Sequence, residues 1–379
     1  VRLRRTAEHC YEFVPETGRN EIAFVVCFDR IVDNAALPSF DRTAEESARH
    51  WRRFWESGGA IDLSESSDPR WRELERRVVL SQYVMAVNEA GSLPPQESGL
   101  GNNGWYGKYH YEMIWWHCAH YALWNRWELA SEMMRVFTDN LGVFRRKAAA
   151  QGYAGVRWPK TIGDHAWWEW PLETTALLIW QQPHPIFYAE LEYRLRPTRE
   201  TLEKWRDVVF GTADFMASYA HYDAVRDRYV LGYPLQVVGE NADPRTTINP
   251  AFELSYWRTG LRLAQQWRVR LGLPEKREYD EVLRKLSPLP VEEGVYVSWE
   301  NIERGHSDDA AHAGEGPCGV EARRNLGLGL PDAGHVRRAA GRSRTGGGVP
   351  ARLSGLRLRP ARAGGRRPRS VPLLPGKRR

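Results

Sequence analysis

The chain has 379 residues, 42% of them hydrophobic, enough for one large domain or two ordinary ones with a sizeable core. Its formal charge of +6 is unevenly placed: residues 305–379 carry 16 Lys and Arg against 5 Asp and Glu, so residues 1–304 form a mildly acidic body with 38 basic and 43 acidic side chains. No apolar run reaches the ~18 residues of a membrane span, and four scattered cysteines (Cys10, Cys27, Cys118, Cys318) without CxxC spacing suggest neither a zinc site nor a disulfide framework.

Residues 1–37 alternate in strand fashion. "YEFVP" and "EIAFVVCFDR" flank "ETGRN" and read as a hairpin. Two strands do not stand alone, so the segment reads as the end of a β-domain that begins upstream. Residues 38–66 read as a linker helix through "SFDRTAEESARHWRRFWES". "SDPRWRELERRVVLSQYVMAVNEA" then carries a helix start signal (Ser67, Asp68, Pro69) and apolar residues at helical spacing.

The loop "GSLPPQESGLGNNGWYGK" leads into a predicted helix from about His110 to Trp124. Further helices are predicted near 126–139, 141–150, 173–194, 198–222, 249–271 and 275–286. "RYVLGYPLQVVGENADPRTTINP" reads as short strands and a long loop between two of them. Helices dominate throughout.

The last segment differs in kind. Residues 305–379 contain no Trp, Tyr, Phe, Ile or Met but 15 Arg and 15 Gly, while all 44 aromatics precede them. Such a composition cannot bury a core. It reads either as a disordered basic arm for nucleic acid or as an out-of-frame translation of GC-rich DNA; the abruptness of the change favours the second.

Of the 17 Trp, ten lie between Trp105 and Trp180. No Gly-rich phosphate loop, HExxH or GxSxG stands in the right context. Trp-rich loops with nearby carboxylates on a helical scaffold suit a sugar, whose C–H faces pack on aromatic rings while its hydroxyls take polar tips. Glycoside cleavage further needs a protonated carboxylic acid for the leaving oxygen and a second group on the opposite face.

"GWYGKYHYE" (104–112) resembles the loop-helix motif of the clan that includes glycoside hydrolase family 65, roughly G-Y-R-G-H-x-F-W-D-T-E, with Gly104 and Gly107 on its two glycines. "GVRWPKTIGDHAWWEWP" (155–171), "IWQQPHPIFYAELEYR" (179–194) and "VVGENADPRTTINPAFELSYW" (237–257) resemble the family's next three active-site stretches, in order. The resemblance covers about residues 1–304. It implies a mainly α fold, an (α/α)6 toroid of the six-hairpin type preceded by a β-sandwich, with residues 67–304 as part of the toroid and the active site at its mouth.

It also implies roles. Glu240 falls on the general acid, with a solvated loop carboxylate as the competing reading and Asp243 as the fallback for the position. Glu112 and His110 would hold sugar hydroxyls, although a glutamate at a helix start also compensates the dipole. Trp105 and Tyr106 are stacking candidates, and Lys108 a hydroxyl or carboxylate contact. Trp158, Lys160, Asp164 and Glu169 belong to the second loop, and Gln181, Gln182 and His184 to the third, where a capped and kinked helix end explains them equally well. Trp115, Trp116 and Trp124 read as toroid core. His117 and His120 read as core or hydrogen-bonding histidines rather than metal ligands, because no third ligand is near.

The resemblance implies an inverting glycoside hydrolase acting on a carbohydrate, without metal or organic cofactor. A disaccharide phosphorylase, a non-catalytic sugar-binding domain or inactive fragment, and a nucleic-acid binder acting through the tail are the alternatives. The family's base comes from late in the toroid, where this chain has its Arg/Gly segment. Sugar, linkage, compartment and oligomeric state are left open.

Overall fold

The computed structural model describes residues 2–15, 18, 22–25, 37–97, 107–163 and 173–302, all within the unit Val1–Gly327. Its first element is a hairpin of β1 (Arg2–Ala7) and β2 (Cys10–Val14), with Arg4 opposite Glu12. This lies one strand earlier than the sequence suggests. The turn falls at Glu8-His9, where His9 takes φ 57, a left-handed conformation that histidine tolerates better than most residues. Residues 22–25 are not strand, and the rest of "EIAFVVCFDR" lies outside the described residues.

Helix α1 (Phe40–Glu56) starts where Ser39 accepts from the Arg42 amide at 3.2 Å, with Asp41 in the first turn. Helix α2 (Trp71–Glu89) buries Gln82 and Glu89, while Val79, Leu80, Tyr83, Val84 and Val87 stay exposed along its other side. Arg126 ties α1 to the next part of the fold: its guanidinium donates to the carbonyls of Phe54 and, at 3.1 Å, Gly59.

Beyond α2 come β3 (Tyr109–His110), α3 (Ile114–Leu123), α4 (Glu128–Asp139), α5 (Leu141–Ala150), β4 (Thr161–Ile162) and α6 (Glu173–Leu177). They are followed by α7 (His184–Leu195), α8 (Arg199–Tyr219), β5 (His221–Asp223), β6 (Arg228–Val230), α9 (Ala251–Arg270), α10 (Arg277–Lys285) and the strand pair β7 (Val291–Glu292) and β8 (Val295–Tyr296). The fold is mainly α, and its helices alternate between two layers. α3 packs on α7 and α7 on α9; behind them α8 packs against α4, α5, α7, α9 and α10. Helix α7 is buried from His184 to Glu192, so both layers close around it.

Trp205, Trp257, Trp267, Phe215 and Tyr188 fill the space between the layers and are fully buried. Each is worth about 1.5–3 kcal/mol or more of apolar transfer. Glu190 is buried among them but keeps charged partners, Arg194 at 2.8 Å and Arg270 at 2.5 Å. Close approach is needed where the strap 153–157 lies on α8. Gly155 has φ +72, and a Cβ there would stand 2.2 Å from the Gly211 carbonyl oxygen, the acceptor of the Val156 amide at 2.8 Å.

The predicted helix 173–194 is two helices. Residues 178–183 leave the helical path because Pro183 and Pro185 lack amide protons and because Gln181 and Gln182 spend their side chains on another loop. This break has a functional consequence. The segments before α3, α7 and α9 meet: Trp180, just before α7, packs on Trp116 in the first turn of α3 and on Phe252 in the first turn of α9, so three helix N-termini converge.

Candidate active site

Two loops are joined by the short sheet of β3 and β4, in which Tyr109 pairs with Ile162 and His110 with Thr161. That register sets Lys160, one residue before β4, beside Glu112, two residues after His110. The Lys160 ammonium lies 3.4 Å from Glu112 Oε1 and also donates to Glu240 Oε1. One cation thus links carboxylates from the first and fourth motifs, 128 positions apart. Lys160 and Glu112 are buried, while the Glu240 side chain is 42% exposed.

Glu112 has further partners. The Trp180 indole donates to its Oε2 at 3.1 Å, and His110 Nδ1 lies 3.6 Å from its Oε1. The same His110 nitrogen is 3.7 Å from Glu97 Oε2. Glu97 and Glu112 thus flank His110, and Glu112 and Glu240 flank Lys160. In a site screened from water such pairs act more strongly than on an open surface.

The third motif supports this arrangement from behind. The Trp158 amide donates to Gln182 Oε1 at 2.9 Å, both glutamine side chains donate to the Trp158 carbonyl, and the Trp158 indole donates to Thr212 Oγ1 at 2.8 Å. Trp158 and Gln182 are fully buried. His184 donates from Nε2 to the Glu112 carbonyl at 2.9 Å, so its Nδ1 accepts from Tyr256 Oη, also at 2.9 Å. Burial holds the His184 imidazole neutral, with a pKa lowered to about 3. Trp158, Gln182 and His184 thus spend their polar atoms on the protein, and in this geometry they shape the site without facing it. Lys108 is half-buried beside β3. Trp105, Tyr106, Asp164 and Glu169 lie outside the described residues.

The loop from β6 to α9 carries Glu240. Its base is closed by Asn249, which is fully buried at φ 53; its side chain accepts from the Leu231 amide at 2.9 Å and donates to Glu300 at 2.6 Å. Within the loop the Glu240 amide donates to the Val237 carbonyl at 2.9 Å, and Glu240 takes φ 55. Asp243 is used differently. Its exposed carboxylate holds Arg245 at 2.8 and 3.0 Å and is lowered to about 2, chiefly by that arginine, which makes it a poor proton donor.

Several further residues, none of them a candidate above, contribute here. Trp116, read as core, is 53% exposed in the first turn of α3, and Phe252, in the first turn of α9, is 45% exposed. Both pack edge-on against Trp180, with ring centroids 5.7 and 5.9 Å away, and so flank the indole that binds Glu112. His117, buried, faces Glu89 at 3.8 Å and donates to the Glu97 carbonyl at 3.2 Å; burial raises Glu89 to about 7. Glu253 is considered below. An aromatic at a helix start is the one feature that could have flagged Trp116 and Phe252.

No protein-family model matches the chain. Over 193 residues, half of its length, it is 26% identical to a kojibiose hydrolase of Flavobacterium johnsoniae. Its structure superposes on a "putative kojibiose phosphorylase from human microbiome" with a TM-score of 0.55 and 11% identity, over 73% of this chain. The fold is family-65-like. The matches span only 28% of the hydrolase and 39% of the phosphorylase, so the chain corresponds to part of each.

Proposed function

We propose that this chain carries the acid-bearing part of a glycoside-cleaving site that acts on a glucose disaccharide of the kojibiose type. The observation that carries the reading is the Lys160 bridge, which joins Glu112 and Glu240 where three helix N-termini converge. The names of the hydrolase and the phosphorylase support the substrate class.

In this reading Glu240 protonates the leaving oxygen, and water attacks the anomeric carbon from the opposite face and inverts it, giving its proton to a base that lies outside the described residues. Glu112, with Trp180 behind it, holds sugar hydroxyls, and Trp116 and Phe252 offer flat faces to the ring. Glu112 is not the base. It shares one ammonium with Glu240, which leaves less than the roughly 6.5–9.5 Å that an interposed water requires. Glu240 must be a carboxylic acid at the moment of transfer, and Lys160 competes for it. Passing Lys160 wholly to Glu112 as the sugar enters frees Glu240 for that role.

The test is Glu240→Gln with kojibiose, in phosphate-free and phosphate buffers, following the released anomer by proton NMR. The expected result is release of the inverted anomer without phosphate and a loss of about 10²–10⁴-fold in the variant. Unchanged turnover in Glu240→Gln removes Glu240 as the acid. Formation of a sugar phosphate supports the second reading, a phosphorylase, the activity that the structural neighbour's name carries. Sugar binding without turnover supports a binding domain.

A further inference from the structure

Glu253 lies in the first turn of α9 and is 1% exposed. A carboxylate so deeply buried is costly unless something uses it. Its Oε1 accepts from the Val238 amide at 2.9 Å, and its own amide also bonds the carboxylate. Val238 is the second residue of the Val237–Glu240 turn, whose closing bond presents the Glu240 side chain to Lys160. Two residues earlier the loop is fixed again, where the Gln236 amide donates to the Leu177 carbonyl at 3.2 Å. Between Gln236 and Glu240, the Val238–Glu253 bond is the described side-chain tie to the helical layer.

We propose that Glu253 is a positioning residue: by holding the Val238 amide it anchors the Val237–Glu240 turn to α9 and so fixes where Glu240 stands. The role rests on the reading of Glu240 given above, but the anchoring itself does not need turnover. Burial raises the Glu253 carboxyl to about 7, so protonated and ionised forms are both populated near neutrality, and either keeps an oxygen for the Val238 amide. Glutamine has the shape of the protonated form and keeps the same acceptor. Alanine removes it and leaves the Val238 amide without its partner.

The experiment compares wild type, Glu253→Gln and Glu253→Ala of the full chain by hydrogen exchange resolved to residues 236–241, with the α9 core amides of Leu261 and Ala264 as internal reference. Glu253→Ala is expected to speed exchange at Val238 and Glu240 by about tenfold or more with the reference amides unchanged, and Glu253→Gln to stay near wild type. With kojibiose as substrate, Glu253→Ala lowers kcat by about tenfold or more while KM moves less, and Glu253→Gln restores it. The anchor is overturned if Val238 exchanges alike in wild type and Glu253→Ala, or if Glu253→Gln behaves like Glu253→Ala. Faster loop exchange with unchanged kcat overturns the positioning role alone. Should wild type and all variants lack turnover, exchange still decides the anchor, and it is the glycosidase reading that falls.

Discussion

The ammonium of Lys160 lies 3.4 Å from Glu112 Oε1 while donating to Glu240, so one cation bridges two carboxylates that reach the site from different loops. Removing it leaves Glu112, itself buried, facing Glu240 without a cation between them. Lys160→Met is expected to lower kcat/KM on kojibiose by about 10²-fold and Lys160→Arg by less, since a guanidinium keeps the charge. Equal kinetics for Lys160→Met and wild type would remove the bridge from the mechanism.

His184 gives a pH signature. Its pKa falls from an ordinary 6.5 to about 3 in the folded chain because burial disfavours the imidazolium. Below 6.5 the unfolded chain binds the extra proton and the folded chain does not, so stability declines as pH drops from 6.5 toward 3. Glu253, raised from 4.5 to about 7, acts in the opposite sense: its contribution is complete below 4.5 and lost as pH rises through 7. His184→Gln keeps a donor for the Glu112 carbonyl and an acceptor for Tyr256. Urea unfolding at pH 4, 5 and 7 should show a flatter acid limb for His184→Gln than for wild type. Parallel limbs would contradict the neutral, buried imidazole.

Gly155→Ala tests the close approach of the strap to α8. The new methyl meets the Gly211 carbonyl oxygen at 2.2 Å and Phe215 N at 2.4 Å, at a φ of +72 that alanine resists. A loss of about 2–4 kcal/mol is expected in chemical denaturation. Gly152→Ala, at φ +84 with open space around it, isolates the backbone part and should cost about 1 kcal/mol.

Trp116→Ala separates sugar stacking from core packing. An indole 53% exposed contributes little to the core, so the melting temperature should move by no more than a few degrees. Affinity for kojibiose, measured by calorimetry, should fall by about tenfold if the ring meets a sugar face. A large drop in stability with unchanged affinity would return Trp116 to the core role that its spacing suggested.

Much of the helical framework was legible. The predicted helix at 141–150 matches α5, and those at 198–222 and 249–271 are α8 and α9 with slightly shorter ends. Apolar periodicity is local, so sequence carries it. The prolines at 183 and 185 mark a kink there, but the full break between α6 and α7 also depends on Gln181 and Gln182 bonding a loop more than 20 residues away. Trp116 was misread because spacing tells which residues share a face and not which face is covered.

The site divides in the same way. Its charged residues and their order along the chain were readable, since carboxylates and aromatics near glycines mark themselves. Their division of labour was not. That Gln182 and His184 hold backbone while Glu112 faces Lys160, and that Glu253 lies buried under the Glu240 turn, are long-range facts. The sequence alone determined a helical scaffold with polar aromatic loops, because helix periodicity and loop composition are local properties. Only the tertiary structure decided which carboxylate meets which cation, because burial and charge pairing depend on loops that the packing of α3, α7 and α9 brings together.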